Sequence, residues 1–170
     1  MAYVTTGELL AALGARELIE AGAIRDPLRL VSEELLSVII AEGDDGAYTA
    51  DEIAAATSVA DHVADSCAQA DARIDSAIRS RWPSVALPLD ETPADVARIA
   101  LWLARYFAHV DVSDDSVIAR RYREAVAELR DFARGATDLG IAEPSTGGTS
   151  DPTYVAPREV FTQTLLDTMP

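Results

Sequence analysis

One long apolar stripe constrains the fold of this chain more than any other feature. Its members recur every three or four positions: Val59, Val63, Cys67, Ala70, Ile74 and Ile78. This is the period of an amphipathic α-helix. Thr49 and Glu52 form a capping box before it, and Trp82-Pro83 stops it. The pattern predicts one long helix that ends near Arg81. Because its body is rich in alanine, a neighbouring helix can approach closely, which favours a central place in a bundle.

Two shorter helices are predicted before the long one. Thr5 and Glu8 form a further capping box, so a helix should follow and end at Gly14. Asp26-Pro27 has the form of an N-cap followed by proline at the first helical position. Apolar residues then recur at positions 28, 31, 35 and 39, so we expect a second helix of about four turns that runs up to Gly43.

Two more helices are predicted after the long one, behind an extended apolar connector, Leu87-Pro88-Leu89. Thr92-Pro93 should start the first by the same cap-then-proline device. Ser113 should cap the second, which should close at Arg134-Gly135. The chain is therefore predicted to be all-α, a small bundle of about five helices with a flexible C-terminal arm.

The sequence changes character near residue 141. Positions 144–150 are rich in Pro, Ser, Thr and Gly, as in flexible linkers, and apolar residues then return. We divide the chain into a helical domain, 1–140, and a linker with an apolar arm, 141–170. The arm residues expected to contact other chains are Tyr154, Phe161, Leu165 and Leu166. The alternative is that the arm folds back on its own bundle.

The formal net charge is −15, and residues 1–70 carry most of the excess, with 13 acidic residues and 3 arginines. An acidic surface repels phosphate, so tight nucleic-acid binding is not expected, although DNA could pass without adhering. Simple solubility also explains the charge. No apolar run approaches a membrane span, and the first residues do not resemble a secretory signal, so we expect synthesis in the cytoplasm and no membrane association.

No residue pattern indicates catalysis. His62 and Cys67 are five residues apart on one predicted helix, so they point to different faces and cannot form a dyad. No metal-binding or phosphate-binding motif occurs, and His62 and His109 are expected to be solvated or singly hydrogen-bonded. Cys67 lies in the apolar stripe and is expected to be a core residue. We therefore expect no enzyme activity and no cofactor.

Three carboxylate pairs leave acid–base chemistry open, but each has a simpler interpretation. Asp44-Asp45 lies in a glycine-flanked turn. Asp71 and Asp75 flank arginines on the long helix, where an Asp75–Arg79 pair is predicted. The pair at 114–115 is expected in the first turn of the last helix, where the helix dipole favours carboxylates. A carboxylate-based metalloenzyme remains an alternative that metal analysis would test.

An ordered set of motifs spans most of the chain. They are Met1–Thr5, Glu8-Leu9, Gly14 with Glu17-Leu18, Ala68–Ser76, Arg81-Trp82, Leu87-Pro88-Leu89, Pro93, Ala100, Ala104–Tyr106, Arg121–Ala125, Leu129–Gly135 and Pro157–Thr162. Together they resemble the head-tail joining proteins of Mu-like tailed bacteriophages, the phage Mu gp36-like family. The chain departs from that family in a longer stretch around Arg25 to Gly46 and in an inserted Ser84-Val85-Ala86.

The resemblance implies a virion connector, or adaptor, made in the bacterial host cytoplasm. Such a subunit assembles into a ring, expected to be dodecameric, beneath the portal of a DNA-filled capsid. The portal protein and a neck, stopper or tail protein would be its partners, and double-stranded DNA would pass through without specific binding. The resemblance also implies that the protein is not an enzyme and needs no cofactor. The alternative is a cellular or prophage-encoded helical interaction module with no role in the particle.

Three arginines of the last predicted helix, Arg120, Arg121 and Arg123, form a possible basic patch. We expect it to pair with acidic residues in the amino-terminal half of the next subunit. In a ring this contact joins two different surfaces, so it need not be symmetric.

Overall fold

A computed structural model describes residues 2–141. Six α-helices follow one another: α1 (Thr6–Leu13), α2 (Ala15–Ala21), α3 (Glu33–Ile40), α4 (Ala50–Arg81), α5 (Ala94–Ala108) and α6 (Val117–Ala133). A short 3-10 turn, Ala23–Arg25, follows α2. The described residues contain no strand. The all-α prediction is confirmed, with one helix more than expected. Of the predicted arm, 141–170, all residues after Ile141 lie outside the described residues.

The predicted long helix is α4, and it forms the centre of the bundle. All six residues of its apolar stripe are buried, and Thr49 and Glu52 form the predicted capping box. The helix packs against α3, α5 and α6. Small side chains such as Ala70 on α4 and Ala100 and Ala104 on α5 are fully buried, which permits close approach of the helices.

The amino-terminal region differs from the prediction in two places. The helix α2 was missed. Its neighbour α3 begins six residues later than expected, with Ser32 as its N-cap. Asp26 does not cap a helix; its carboxylate instead accepts the backbone amides of Leu30 and Val31 at 2.7 and 2.9 Å. Residues 26–31 therefore form an irregular turn, in which Arg29 has a positive φ of 53°.

Two helix starts in the second half also need correction. Thr92 does not cap α5, since the N-cap position is Pro93 itself and carries no side-chain hydrogen bond. Ser116, and not Ser113, caps α6 through the amide of Ala119 at 3.1 Å. The acidic pair 114–115 therefore precedes the helix and does not lie in its first turn. The predicted end of α6 is confirmed, because Gly135 has φ 77° and Ala136 donates back to Asp131.

Candidate interaction surfaces

Polar side chains inside the bundle join helices to one another. The Nε2 atom of His62 lies 2.9 Å from the carbonyl of Ala108, and Nδ1 of His109 lies 2.9 Å from the carbonyl of Arg105. Each histidine thus has one hydrogen bond, as predicted, and Nε2 of His109 also lies 3.7 Å from Oε1 of Glu17 on α2. Arg105 forms a bidentate pair with Glu17 at 2.6 and 3.1 Å, which fastens α2 to α5. No pattern in the sequence predicts this pair, because its members are 88 residues apart.

Cys67 is a core residue, as predicted. Its side chain is buried, and that burial raises the pKa of the thiol to about 11. A thiol in this state is a poor nucleophile at neutral pH. Within residues 2–141, no three His, Cys, Asp or Glu side chains lie close enough together to hold a metal ion.

The carboxylates of Asp71 and Asp75 bind the amino terminus. Asp71 accepts the backbone amide of Tyr3 at 3.1 Å, and Asp75 accepts the Tyr3 hydroxyl at 2.6 Å. No ion pair joins Asp75 to Arg79 within residues 2–141, so that predicted pair is wrong. Burial raises the pKa of Asp71 and, with the Asp75 hydrogen bond, raises that of Tyr3. The pair anchors the first residues of the chain to α4.

The predicted basic patch on α6 is partly engaged within the chain. Arg121 pairs with Glu124 at 2.8 Å, and Arg123 donates to the carbonyl of Asp114 at 2.7 Å. Arg120 is exposed, and its guanidinium has no hydrogen bond or ion pair within residues 2–141. The role of these arginines between subunits stays a prediction, as does that of Tyr154, Phe161, Leu165 and Leu166, which lie outside the described residues.

A half-buried tryptophan lies between two arginines where α5 meets α6. The guanidinium carbons of Arg98 and Arg121 are 4.6 and 5.0 Å from the centre of the Trp102 ring. Arg98 also pairs with Glu128 of α6 at 2.7 Å, and this hydrogen bond raises the pKa of its guanidinium. The i,i+4 spacing of Arg98 and Trp102 could have revealed half of this cluster. Arg and Trp are the residue types that dominate protein interfaces, so this surface is suited to a protein partner.

A cleft of about 710 Å³ lies beside the connector between α4 and α5. Its apolar lining includes Val85, Leu89 and Ile141, and Asp90 and Glu91 are exposed at it. Ile141 is the last described residue, so the predicted linker starts from the wall of this cleft.

No helix within residues 2–141 has both the length and the apolar character that a membrane crossing requires.

Comparison with protein-family models identifies the family of this chain. The family model described as Bacteriophage Mu, Gp36 matches residues 3–155. The chain belongs to this family. The Gp36 match covers all six helices and the first part of the predicted arm, and it ends before the Pro157–Thr162 motif. The match thus confirms the phage family that the motifs of the sequence resemble. No curated protein and no solved structure matches the chain.

Proposed function

We propose that this Gp36-family chain is a structural subunit of the virion that joins the DNA-filled head to the neck or tail. The observation that carries the proposal is the family match over residues 3–155, together with the head-tail joining role that the motif resemblance implies. In this role the protein has no enzyme activity, assembles as a ring beneath the portal and lets DNA pass through its centre. The ring is expected to be dodecameric.

Charge and architecture support this role. The net charge of −15 limits adhesion to a passing DNA duplex, because like charges repel. Some charged groups hold helices together, as the Arg105–Glu17 and Arg98–Glu128 pairs illustrate. A subunit built in this way offers rigid surfaces to its neighbours, and rigid surfaces lose little entropy on assembly.

The role in the particle is tested by deleting the gene from the phage. Full heads and separate tails that fail to join would support the proposal, and complementation with the intact gene should restore infectious particles. Normal joined particles in the deletion strain would contradict it. A connector gene should also lie among the portal, capsid and tail genes.

The arm is proposed to bind a neighbouring subunit or the portal, because apolar side chains on a tether gain stability only when something buries them. Deleting residues 144–170 should therefore abolish portal binding and ring formation. A matched variant keeps the length of the chain but replaces Tyr154, Phe161, Leu165 and Leu166 with serine, and it should fail in the same way. Unchanged portal binding by both variants would remove the arm from the proposal.

The basic patch is proposed to act between subunits. Reversing the charges of Arg120 and Arg123 should weaken assembly at low salt, and high salt should reduce the difference from wild type, because screening weakens exposed charge pairs. Reversal of Arg16, which pairs with Glu20 on the surface, is a control. Assembly that stays the same at low salt would exclude the patch.

A further inference from the structure

The most exposed large apolar side chains within residues 2–141 occur in two short loops. Ile24 and Leu28 are 66% and 75% exposed, and Val110 and Val117 are 56% and 54% exposed. The first two lie in residues 22–32, which we call the basic loop. The others lie in residues 109–117, a segment that ends on the first residue of α6 and that we call the acidic loop. Each of these two segments thus exposes two large apolar residues that are close together in sequence, which makes it a candidate for contact with another protein surface.

Both loops emerge at the same level of the bundle. Gly22, at the start of the basic loop, lies so close to α4 that a Cβ there would stand 3.1 Å from a methyl of Val59. Ala108, directly before the acidic loop, contacts His62 through its carbonyl. Val59 and His62 are less than one turn of α4 apart. The two loops therefore lie at similar heights along α4.

The two loops lead to different sides of the α4–α5 hairpin. The helices α1 to α3 pack on one side of it, and α6, whose contacts with the helices before α4 are at most slight, packs on the other. The basic loop belongs to the side of α1 to α3. The acidic loop starts beside α2, where Nε2 of His109 lies 3.7 Å from Oε1 of Glu17, and ends at α6.

The two loops have opposite charges. Arg25 and Arg29 are exposed in the basic loop, and neither has an ion-pair partner within residues 2–141. The one acid there, Asp26, is buried, and both of its oxygens accept backbone amides. The acidic loop exposes the carboxylates of Asp111, Asp114 and Asp115. Arg123 contacts this loop at the carbonyl of residue 114 and leaves the carboxylate free to pair.

The basic loop also borders a hollow of about 320 Å³. Its lining residues are Ile19, Glu20, Ala23, Asp26, Arg29 and Val31. The hollow is partly apolar and wide enough for a valine side chain. An aliphatic residue that enters it would bring its neighbouring acids towards Arg29.

We propose that the basic loop of one copy binds the acidic loop of a second copy, with Val110 and Val117 packed against Ile24, Leu28 and the hollow. The two surfaces differ, so each copy keeps one free loop of each kind and the contact can repeat around a ring. The inference rests on the proposed ring and names the surfaces that would form it. It also differs from the basic-patch contact, which uses Arg120, Arg121 and Arg123.

Two single-loop variants of the full chain test this contact. Leu28→Asp disables the basic loop, and Val117→Asp disables the acidic loop. Both residues are more than half exposed, so both variants should fold, as circular dichroism would verify. Sedimentation velocity at rising protein concentration should show self-association of the wild type and monomers for each variant alone. An equimolar mixture of the variants should form dimers and nothing larger, because each supplies one intact loop.

Each result bears on the contact alone. A wild type that stays monomeric at every concentration, single variants that still associate, or a mixture that stays monomeric would overturn it. The control is Ala72→Asp, which adds the same charge at an exposed position on α4. This variant should associate as the wild type does. If the loop contact is overturned, the proposed role in the virion is not affected, because the gene deletion tests that role separately. Conversely, the mixture of variants could form the expected dimer while the deletion strain still makes joined particles. That pair of results would reject the virion role and support the loop contact.

Discussion

The α4–α5 hairpin and the amino-terminal flank, residues 2–40, are stabilised in different ways. In the hairpin, large apolar side chains such as Ile74, Ile99 and Leu103 are fully buried between long helices. The flank also buries leucines such as Leu9 and Leu35, but its helices have only 7 or 8 residues. Polar contacts from Asp26, Asp71 and Asp75 additionally hold its turns and its first residues. The hairpin should therefore govern global stability, while single polar groups govern local order in the flank.

The largest effect is expected from Leu103→Ala in the hairpin. Removing a fully buried leucine side chain leaves a cavity, so the free energy of unfolding should fall by about 3–4 kcal/mol. Leu28→Ala makes the same chemical change at a side chain that is 75% exposed, and its effect should stay within about 0.5 kcal/mol. Urea denaturation measures both values. Equal losses would refute the contrast between buried and exposed sites.

An intermediate effect is expected from Asp26→Ala in the flank. The substitution leaves the amides of Leu30 and Val31 without their acceptor, which should cost about 3 kcal/mol or less. Amide hydrogen exchange should show faster exchange at these two positions than in α4. Asp26→Asn keeps one acceptor oxygen and should lose less. If residues 26–31 keep their protection in the alanine variant, the carboxylate does not hold this turn.

A smaller effect than that of Asp26→Ala is expected from Tyr3→Phe, which removes the 2.6 Å hydrogen bond to Asp75 and should cost about 1.5 kcal/mol. The effect should depend on pH. Burial raises the pKa of Tyr3 above its ordinary value of 10, so its contribution is complete below pH 10 and is lost as the pH rises beyond that value.

The control for Tyr3→Phe is Tyr106→Phe. The ring of Tyr106 stacks on that of Tyr122, with 3.8 Å between the ring centres. The Tyr106 hydroxyl has no hydrogen bond within residues 2–141. Thermal melts from neutral to alkaline pH should therefore converge for wild type and Tyr3→Phe, whereas Tyr106→Phe should follow the wild type throughout. A pH-independent gap between wild type and Tyr3→Phe would contradict the account of the Tyr3 hydroxyl.

The sequence could predict the hairpin and α6 because long apolar stripes repeat a single period many times. It could not predict α2, whose seven residues contain only two large apolar side chains, Leu18 and Ile19, and no side-chain cap. Asp26-Pro27 was misleading for a chemical reason. A carboxylate that accepts backbone amides can cap a helix or close an irregular turn, and only the structure identifies the amides of Leu30 and Val31 as its donors.

The surfaces were harder to predict than the helices. Charge alone predicts the basic patch of Arg120, Arg121 and Arg123. The structure shows that two of these arginines make contacts within the chain. The cluster around Trp102 depends on how α5 and α6 are rotated against each other, and sequence spacing does not encode that rotation. The two loops at one level of α4 likewise come together only through the contacts at Val59 and His62.

Electron microscopy of the full chain mixed with the portal of its own phage tests the central claim most directly. The account predicts a new ring of density on the underside of the portal, built from copies of this helical bundle. Portal particles that look the same with and without an excess of the chain would contradict it.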